Sequence, residues 1–182
     1  QATLASTSRT IMGSTQLQWL QGQLAASKAT WQVLGQQVLM ARMEFPVSIL
    51  THLNPDNTSP AALAAGQTAI TEYLTAKATA AQAPAMLTAA QKALLDPKLN
   101  PKLGYNLDAW DGYPVEREIL LSTAAQLGKK LVVLAGDTHN AWCSRLTLVN
   151  GTVVGQEFGT SSVSSPGFEE YLAAFPPAQA KQ

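Results

Sequence analysis

The chain has one cysteine among 182 residues, so Cys143 rules out any internal disulfide. Charge is scarce and balanced, with 12 basic against 12 acidic residues. No stripe of lysine and arginine is present, which argues against nucleic acid or an anionic membrane as partner. No apolar run reaches the roughly 18 to 20 residues that a membrane-spanning helix needs. The opening residues, QATLASTSRT, have neither an initiator Met nor the apolar core of an export signal; any such signal is expected upstream. Internal repeats are missing. So is the Gly-x-Ser-x-Gly elbow of a serine hydrolase, and Ser161, Ser162, Ser164 and Ser165 therefore read as turn and strand-end residues. What is present is an ordinary soluble composition with alanine-rich helices, long enough to bury the core of one domain.

The most informative stretch is KLVVLAGDTHNAW, Lys130 to Trp142. Leu131 to Ala135 is a short unbroken apolar run with two valines, which predicts a strand buried on both faces. The run stops at Gly136, and Asp137, Thr138, His139 and Asn140 follow at once. Ligands of open α/β sheets sit outside the carboxyl ends of the strands. A carboxylate and an imidazole two residues apart at such an end can serve one small volume, and both ligate divalent metals. The competing reading has Asp137 as a turn cap and His139 as a satisfied surface residue.

GDTHNAW resembles the GD-x-H-x-x-W segment of the PhoD-like alkaline phosphatases, a branch of the calcineurin-like metallophosphatases. Three further stretches are similar to the same family in the same order: RTIMGSTQLQWLQGQLAASKATWQVLGQQV, DAWDGYPVERE and EFGTSSVSSPG. The resemblance implies that Asp137 and His139 belong to the last metal-binding motif of that superfamily. The family's earlier motifs, which bring Asp and Asn ligands, have no counterpart in this sequence. The chain is therefore expected to be the C-terminal part of a longer enzyme, residues 1–182 forming one part of a single metallophosphatase domain. The implied fold is α/β, the C-terminal half of a layered sandwich with an inserted helical pair and a C-terminal β-hairpin.

Along the chain, Thr15 and Gln18 have capping-box spacing, and Leu17, Leu20 and Leu24 share a face, predicting a helix from about Ser14 to Ser27 with Trp19 in the core. Arg9 stands just ahead, where the family carries a similar arginine. It serves either a phosphate bidentately or a neighbouring carboxylate. Thr30 to Met40 reads as a strand. Gln36 stands where many metallophosphatases have a metal-binding histidine; its amide oxygen suits a hard ion such as calcium, or is simply a hydrogen-bonding group. Arg42 to Ser59 reads as a loop with turn chemistry around Pro55; His52 within it either meets substrate or faces solvent. Ser59-Pro60 starts a helix running to about Thr79, and a second follows from Pro84 to Leu95, so the helical insertion spans about 59–95.

The polar stretch Leu99 to Tyr113 precedes a helix opened by Pro114 and stopped by Gly128, in which Ile119, Leu120 and Leu127 are expected to cover the sheet. The resemblance offers Trp110 and Tyr113 as pocket-lining rings and Asp111 as the carboxylate that orients a metal-binding histidine. A local turn with both rings buried is the alternative. Asn150-Gly151, between Trp142 to Val149 and Thr152 to Phe158, is a hairpin signal, with a bulge expected at Gly155. The last residues, FPPAQAKQ, read as a loose end.

The function implied by the resemblance is a metal-dependent phosphoester hydrolase, an alkaline phosphatase or phosphodiesterase, periplasmic or secreted. A metal-bound hydroxide attacks phosphorus in line. Asp137, His139 and Gln36 would hold metal, calcium and iron by the family's preference, and Asn140 and Arg9 would hold phosphate oxygens. The remaining ligands come from the missing N-terminal part, the expected partner besides a phosphate-ester substrate. The alternative is a non-catalytic α/β module for protein interaction or single-metal binding.

Overall fold

The computed structural model describes residues 4–52 and 59–167. The turn cluster at Asn54 to Asn57 and the tail from Phe175 to Gln182 lie outside the described residues. The fold is α/β and divides into two compact units, one formed by residues 1–42 and 106–182, the other by Met43–Tyr105.

The larger unit contains helix α1 (Gly13–Ala26) and strand β1 (Gln32–Gly35). The smaller unit follows in sequence, with β2 (Glu44–Pro46), α2 (Val47–Leu50), α3 (Pro60–Gln82), α4 (Ala89–Leu95) and β3 (Lys102–Gly104). The larger unit resumes with α5 (Pro114–Gln126), β4 (Leu131–Ala135), β5 (Trp142–Thr147) and β6 (Val153–Gly159). Its sheet has the order β1-β4-β6-β5. β1 and β6 both run parallel to β4, and β5 is antiparallel to β6.

α1 and α5 supply Leu20, Leu24, Leu120, Leu121 and Ala124 to a core shared with Leu131, Val133 and Leu146 of the sheet. Each such fully buried aliphatic side chain contributes roughly 1.5 to 3 kcal/mol. β4 alternates along its length, with Leu131, Val133 and Ala135 buried while Leu134 is exposed. The expected burial on both faces is thus corrected: the helices cover one face only. Ile119 and Leu127 are also exposed, and Leu120 with Leu121 makes the helix contact instead.

α1 begins one residue early, at Gly13, and its N-cap Met12 makes no side-chain cap bond. The expected box at Thr15 and Gln18 does not form. Its work is done from a distance by Glu116 of α5, whose carboxylate accepts the N–H groups of Ile11 (2.6 Å) and Met12 (3.1 Å). Negative charge there also suits the positive end of the helix. Trp19, expected in the core, is 61% exposed on the outer side of α1.

β1 is shorter than expected, because the chain leaves the sheet after Gly35. The next residues are held by two buried charged side chains. Glu157 of β6 accepts the N–H of Met40 (2.6 Å) and of Ala41 (2.8 Å). Arg117 of α5 donates to the Met40 carbonyl (2.6 Å) and to the Thr147 carbonyl (3.1 Å). Burial pushes the Glu157 carboxyl up, against the lowering effect of these two amides and of Arg117. Burial and the like charge of Arg42 lower Arg117. Next along α5, Glu118 accepts the Val149 N–H at 2.9 Å.

The hairpin is as the Asn-Gly pair predicts, with a three-residue loop closed by Gly151 N–H to Leu148 O and Leu148 N–H to Thr152 O. Gly151 has φ 86°, the left-handed residue of the turn-plus-bulge loop. A second irregularity lies beside Gly155, where Leu146 pairs with Gly155 but Thr147 with Val153. A Cβ at Gly155 would overlap the Leu131 carbonyl, so only glycine lets β6 approach β4 here.

The smaller unit exceeds the helical pair expected over 59–95. Ser59 caps α3, accepting from Ala62 N–H, and Thr88 with Gln91 forms a capping box on α4. The loop expected over Arg42 to Ser59 contains β2 and α2. β2 pairs antiparallel with β3, and Asn100 ties Ser48 to the Leu94 carbonyl.

Candidate metal and phosphate site

Asp137 and His139 lie directly beyond the carboxyl end of β4. Both adopt positive φ, 68° and 63°, conformations that cost L-residues roughly 1 to 2 kcal/mol each. The Thr138 N–H donates to the Gly136 carbonyl (2.8 Å), closing a three-residue turn about Asp137. Turns of this kind with positive φ at the centre are rare and strained. Further bonds hold the strain in place. Thr160 N–H reaches the Ala135 carbonyl (2.9 Å), Ser162 N–H reaches the His139 carbonyl (3.1 Å), and the Trp142 indole donates to Thr138 Oγ1 (2.9 Å). Strain kept by its surroundings is characteristic of functional loops.

The imidazole has a defined chemistry. His139 Nδ1 lies 2.8 Å from the Pro166 carbonyl oxygen. A carbonyl only accepts, so Nδ1 carries the hydrogen and Nε2 is the nitrogen left to a ligand. This is the arrangement in which metal-ligating histidines are commonly oriented by a backbone carbonyl. The Asp137 side chain is exposed, with no hydrogen bond among the described residues. Beside these residues an open cleft of about 460 Å³ is lined by His139, Asn140 and the hydroxyl-rich loop from Ser161 to Pro166. Within that loop the Ser162 hydroxyl donates to the Ser165 carbonyl, consistent with a turn role for the serines.

The other anticipated residues have different surroundings. Arg9 donates through Nε to the Gly112 carbonyl (2.8 Å) and through Nη2 to the Leu107 carbonyl (3.3 Å), and lies over the Tyr113 ring (4.8 Å to its centre). Its acceptors are backbone carbonyls, neither a carboxylate nor an open anion site. Trp110 is buried in the helix–sheet cluster, as in the alternative of a local turn with buried rings. Its indole donates to the amide oxygen of Gln36 at 2.6 Å. An indole N–H only donates, so the Gln36 oxygen faces Trp110, and the buried amide nitrogen has no hydrogen-bond partner. Tyr113 is half-buried beneath Arg9, and Asp111 is half-buried within the field of Arg117. His52 lies in the turn after α2 in the smaller unit, exposed and beside Gly66.

Among the described residues no three His, Cys, Asp or Glu side chains gather where a metal ion could be held. Asp137 and His139 are two donors of the kinds that metal ions take, and two donors do not enclose an ion. Their chemistry, a carboxylate and an imidazole whose Nδ1 is already bonded, suits a metal ion.

The description "PhoD-like phosphatase" matches residues 1–182, the whole sequence. The chain belongs to the PhoD-like phosphatase family. A relative, "Alkaline phosphatase D" of Bacillus subtilis (strain 168), is 27% identical over 164 residues, which is 87% of this chain. The chain spans only 19% of that relative's length. No solved structure matches. No helix among the described residues is long and apolar enough to cross a membrane.

Family membership gives the charged run of α5 a second interest. Glu116, Arg117 and Glu118 each bind a backbone group far away in sequence, and sequence reading missed all three, together with Glu157. The signal available was their position on the sheet-facing helix, where three consecutive charges are hard to solvate at once.

Proposed function

We propose that this chain contributes one side of the active centre of a metal-dependent phosphoester hydrolase, an alkaline phosphatase or phosphodiesterase. The supporting observation is the His139 ring, oriented through Nδ1 by the Pro166 carbonyl, two residues from Asp137 at a strand end. In this reading Asp137 and His139 bind metal, calcium and iron being the family's preference, and Asn140 in the cleft wall holds a phosphate oxygen. Bound metal would neutralise phosphoryl charge and lower the pKa of water towards neutrality. The protein's own part is to fix the backbone at Asp137 and the ring of His139 before any ligand arrives, which lessens the ordering required on binding. Arg9 acts indirectly, by holding the Leu107 to Tyr113 segment through two carbonyls. Gln36, whose oxygen faces Trp110, supports that segment and β1 rather than reaching a cation.

The remaining ligands come from the upstream part of the same polypeptide, and the enzyme acts outside the cytoplasm. The test is phosphate release from a small aryl phosphate by the whole gene product, with calcium and iron supplied. Asp137→Asn keeps the backbone conformation, since asparagine tolerates positive φ. Metal content and phosphate release should fall together in this variant. Retention of both would overturn the reading. Two donors without a third among the described residues favour a narrower second reading, a single-metal module without turnover; metal bound to the whole gene product with no phosphate release would select it.

A further inference from the structure

The Asp137 turn is gripped by a side chain from the strand that follows it. Trp142 opens β5 and pairs with Gly159 of β6, which pairs in turn with Ala135 of β4, so one row crosses three strands at the foot of the turn. The missing side chain at Gly159 leaves the space beside which the indole lies. A Cβ there would stand 3.2 Å from Trp142 Cδ1, 3.3 Å from Trp142 Cβ and 2.9 Å from Leu39 Cδ2. Cδ1 is bonded to Nε1, so the ring edge seated near Gly159 is the edge that carries the donor. That donor reaches Thr138 Oγ1 at 2.9 Å, and both residues are half-buried.

Thr138 stands between the two left-handed residues, Asp137 and His139. Its N–H is already engaged by the Gly136 carbonyl at 2.8 Å. Return of either neighbour to the negative φ that L-residues prefer would rotate one of the two peptide planes flanking Thr138. With its N–H and its hydroxyl both bonded, Thr138 cannot follow that rotation without losing a bond. The loop after β6 holds His139 alone, through the Ser162 N–H and the Pro166 carbonyl. The grip on Thr138 is common to both donors. We propose that Trp142 is a positioning residue for the donor pair: its indole N–H, acting through Thr138, keeps Asp137 and His139 left-handed at the end of β4. The role of the two donors as metal ligands rests on the phosphatase reading; the hold of the indole on the turn does not.

Three variants separate the bond from the packing. Trp142→Phe keeps an aromatic ring near Gly159 and removes the N–H. Thr138→Val keeps the branched shape and removes the acceptor, and Thr138→Ser keeps the acceptor. In the whole gene product, calcium and iron retained during dialysis against graded concentrations of a chelator are counted by plasma mass spectrometry. Trp142→Phe and Thr138→Val should each release metal at a roughly 10-fold lower chelator concentration, the lower end of what loss of an orienting partner costs. Thr138→Ser should match the parent. The double variant Trp142→Phe/Thr138→Val should be no weaker than either single one, because the same bond is lost in each. Unchanged retention in both single variants, or losses that add in the double, would overturn the proposal. A second readout needs no metal. At positive φ the amide and α hydrogens of one residue come unusually close, so Asp137 and His139 of the 182-residue chain should give strong intraresidue cross-relaxation peaks in NMR. Those peaks should weaken in Trp142→Phe and Thr138→Val while the melting midpoint stays near the parent's, and persist in Thr138→Ser. Full intensity in both of the first two rejects the hold of the indole. Should Trp142→Phe fail to fold, Thr138→Val decides alone, since it disturbs no ring. A whole protein without metal, with the peaks weakening as expected, would sink the phosphatase reading and support the hold.

Discussion

Two sets of polar residues in the same unit are treated oppositely by the fold. Glu116, Arg117 and Glu157 are buried, and each is bonded to backbone groups remote in sequence. Asp137 and His139 are exposed and hold backbone conformations that L-residues avoid. The buried set secures the fold; the exposed set is held by the fold at its expense. Charge inside a core is tolerable when it is hydrogen-bonded or paired. Strain at a strand end persists only when neighbouring bonds enforce it. The difference separates residues whose loss should unfold the protein from residues whose loss should leave it folded.

Substitutions should follow that division. Arg117→Ala leaves Glu157 buried without its cation and two carbonyls without a donor, and should cost about 3 to 5 kcal/mol in denaturant unfolding. Gly155→Ala should approach the same loss, because the added methyl group meets the backbone of β4. Glu157→Gln sets an amide against two backbone N–H groups and should cost about 1 to 3 kcal/mol. The same variant tests the pH dependence. The folded state holds the Glu157 proton to a higher pH than the unfolded chain, because its carboxyl is pushed up. Stability from this group is thus present below the ordinary carboxylate pKa and lost as pH rises through the raised one. That slope should be absent from unfolding curves of Glu157→Gln.

On the exposed side the sign reverses. Asp137→Gly relieves a left-handed aspartate and should stabilise by about 0.5 to 1 kcal/mol after the entropy of glycine is offset. Metal content of the whole gene product should nevertheless drop. Destabilisation by Asp137→Gly would remove the contrast. Trp19→Ser, on the exposed side of α1, should change the midpoint least, by within about 0.5 kcal/mol.

How much of this was legible depended on the range of the interactions concerned. Pro114, Ser59-Pro60 and Asn150-Gly151 announced their elements because caps and turns are decided by adjacent residues. β4 was legible as a strand, but its apolar run concealed the asymmetry of its faces: Leu134 has no covering layer in this chain. β2 and β3, three residues each, are too short for alternation to declare them. Thr15 and Gln18 had the spacing of a cap, yet Glu116, about a hundred residues away, took that function. Trp110 and Gln36 form a pair across 74 positions that no local pattern could reveal. At the site, the order Asp-x-His at a strand end was readable, whereas the left-handed backbone and the carbonyl behind His139 required the three-dimensional arrangement.

The neck of the smaller unit has a consequence for how such a protein can change. The Tyr105 N–H donates to the Met43 carbonyl at 3.1 Å, so the chain leaves and returns within one hydrogen bond. A segment with touching ends can lengthen, shrink or be exchanged at little entropic cost, without shifting the register of strands elsewhere. Variation among descendants of this chain can thus accumulate between Met43 and Tyr105 while the Asp137 turn keeps its shape.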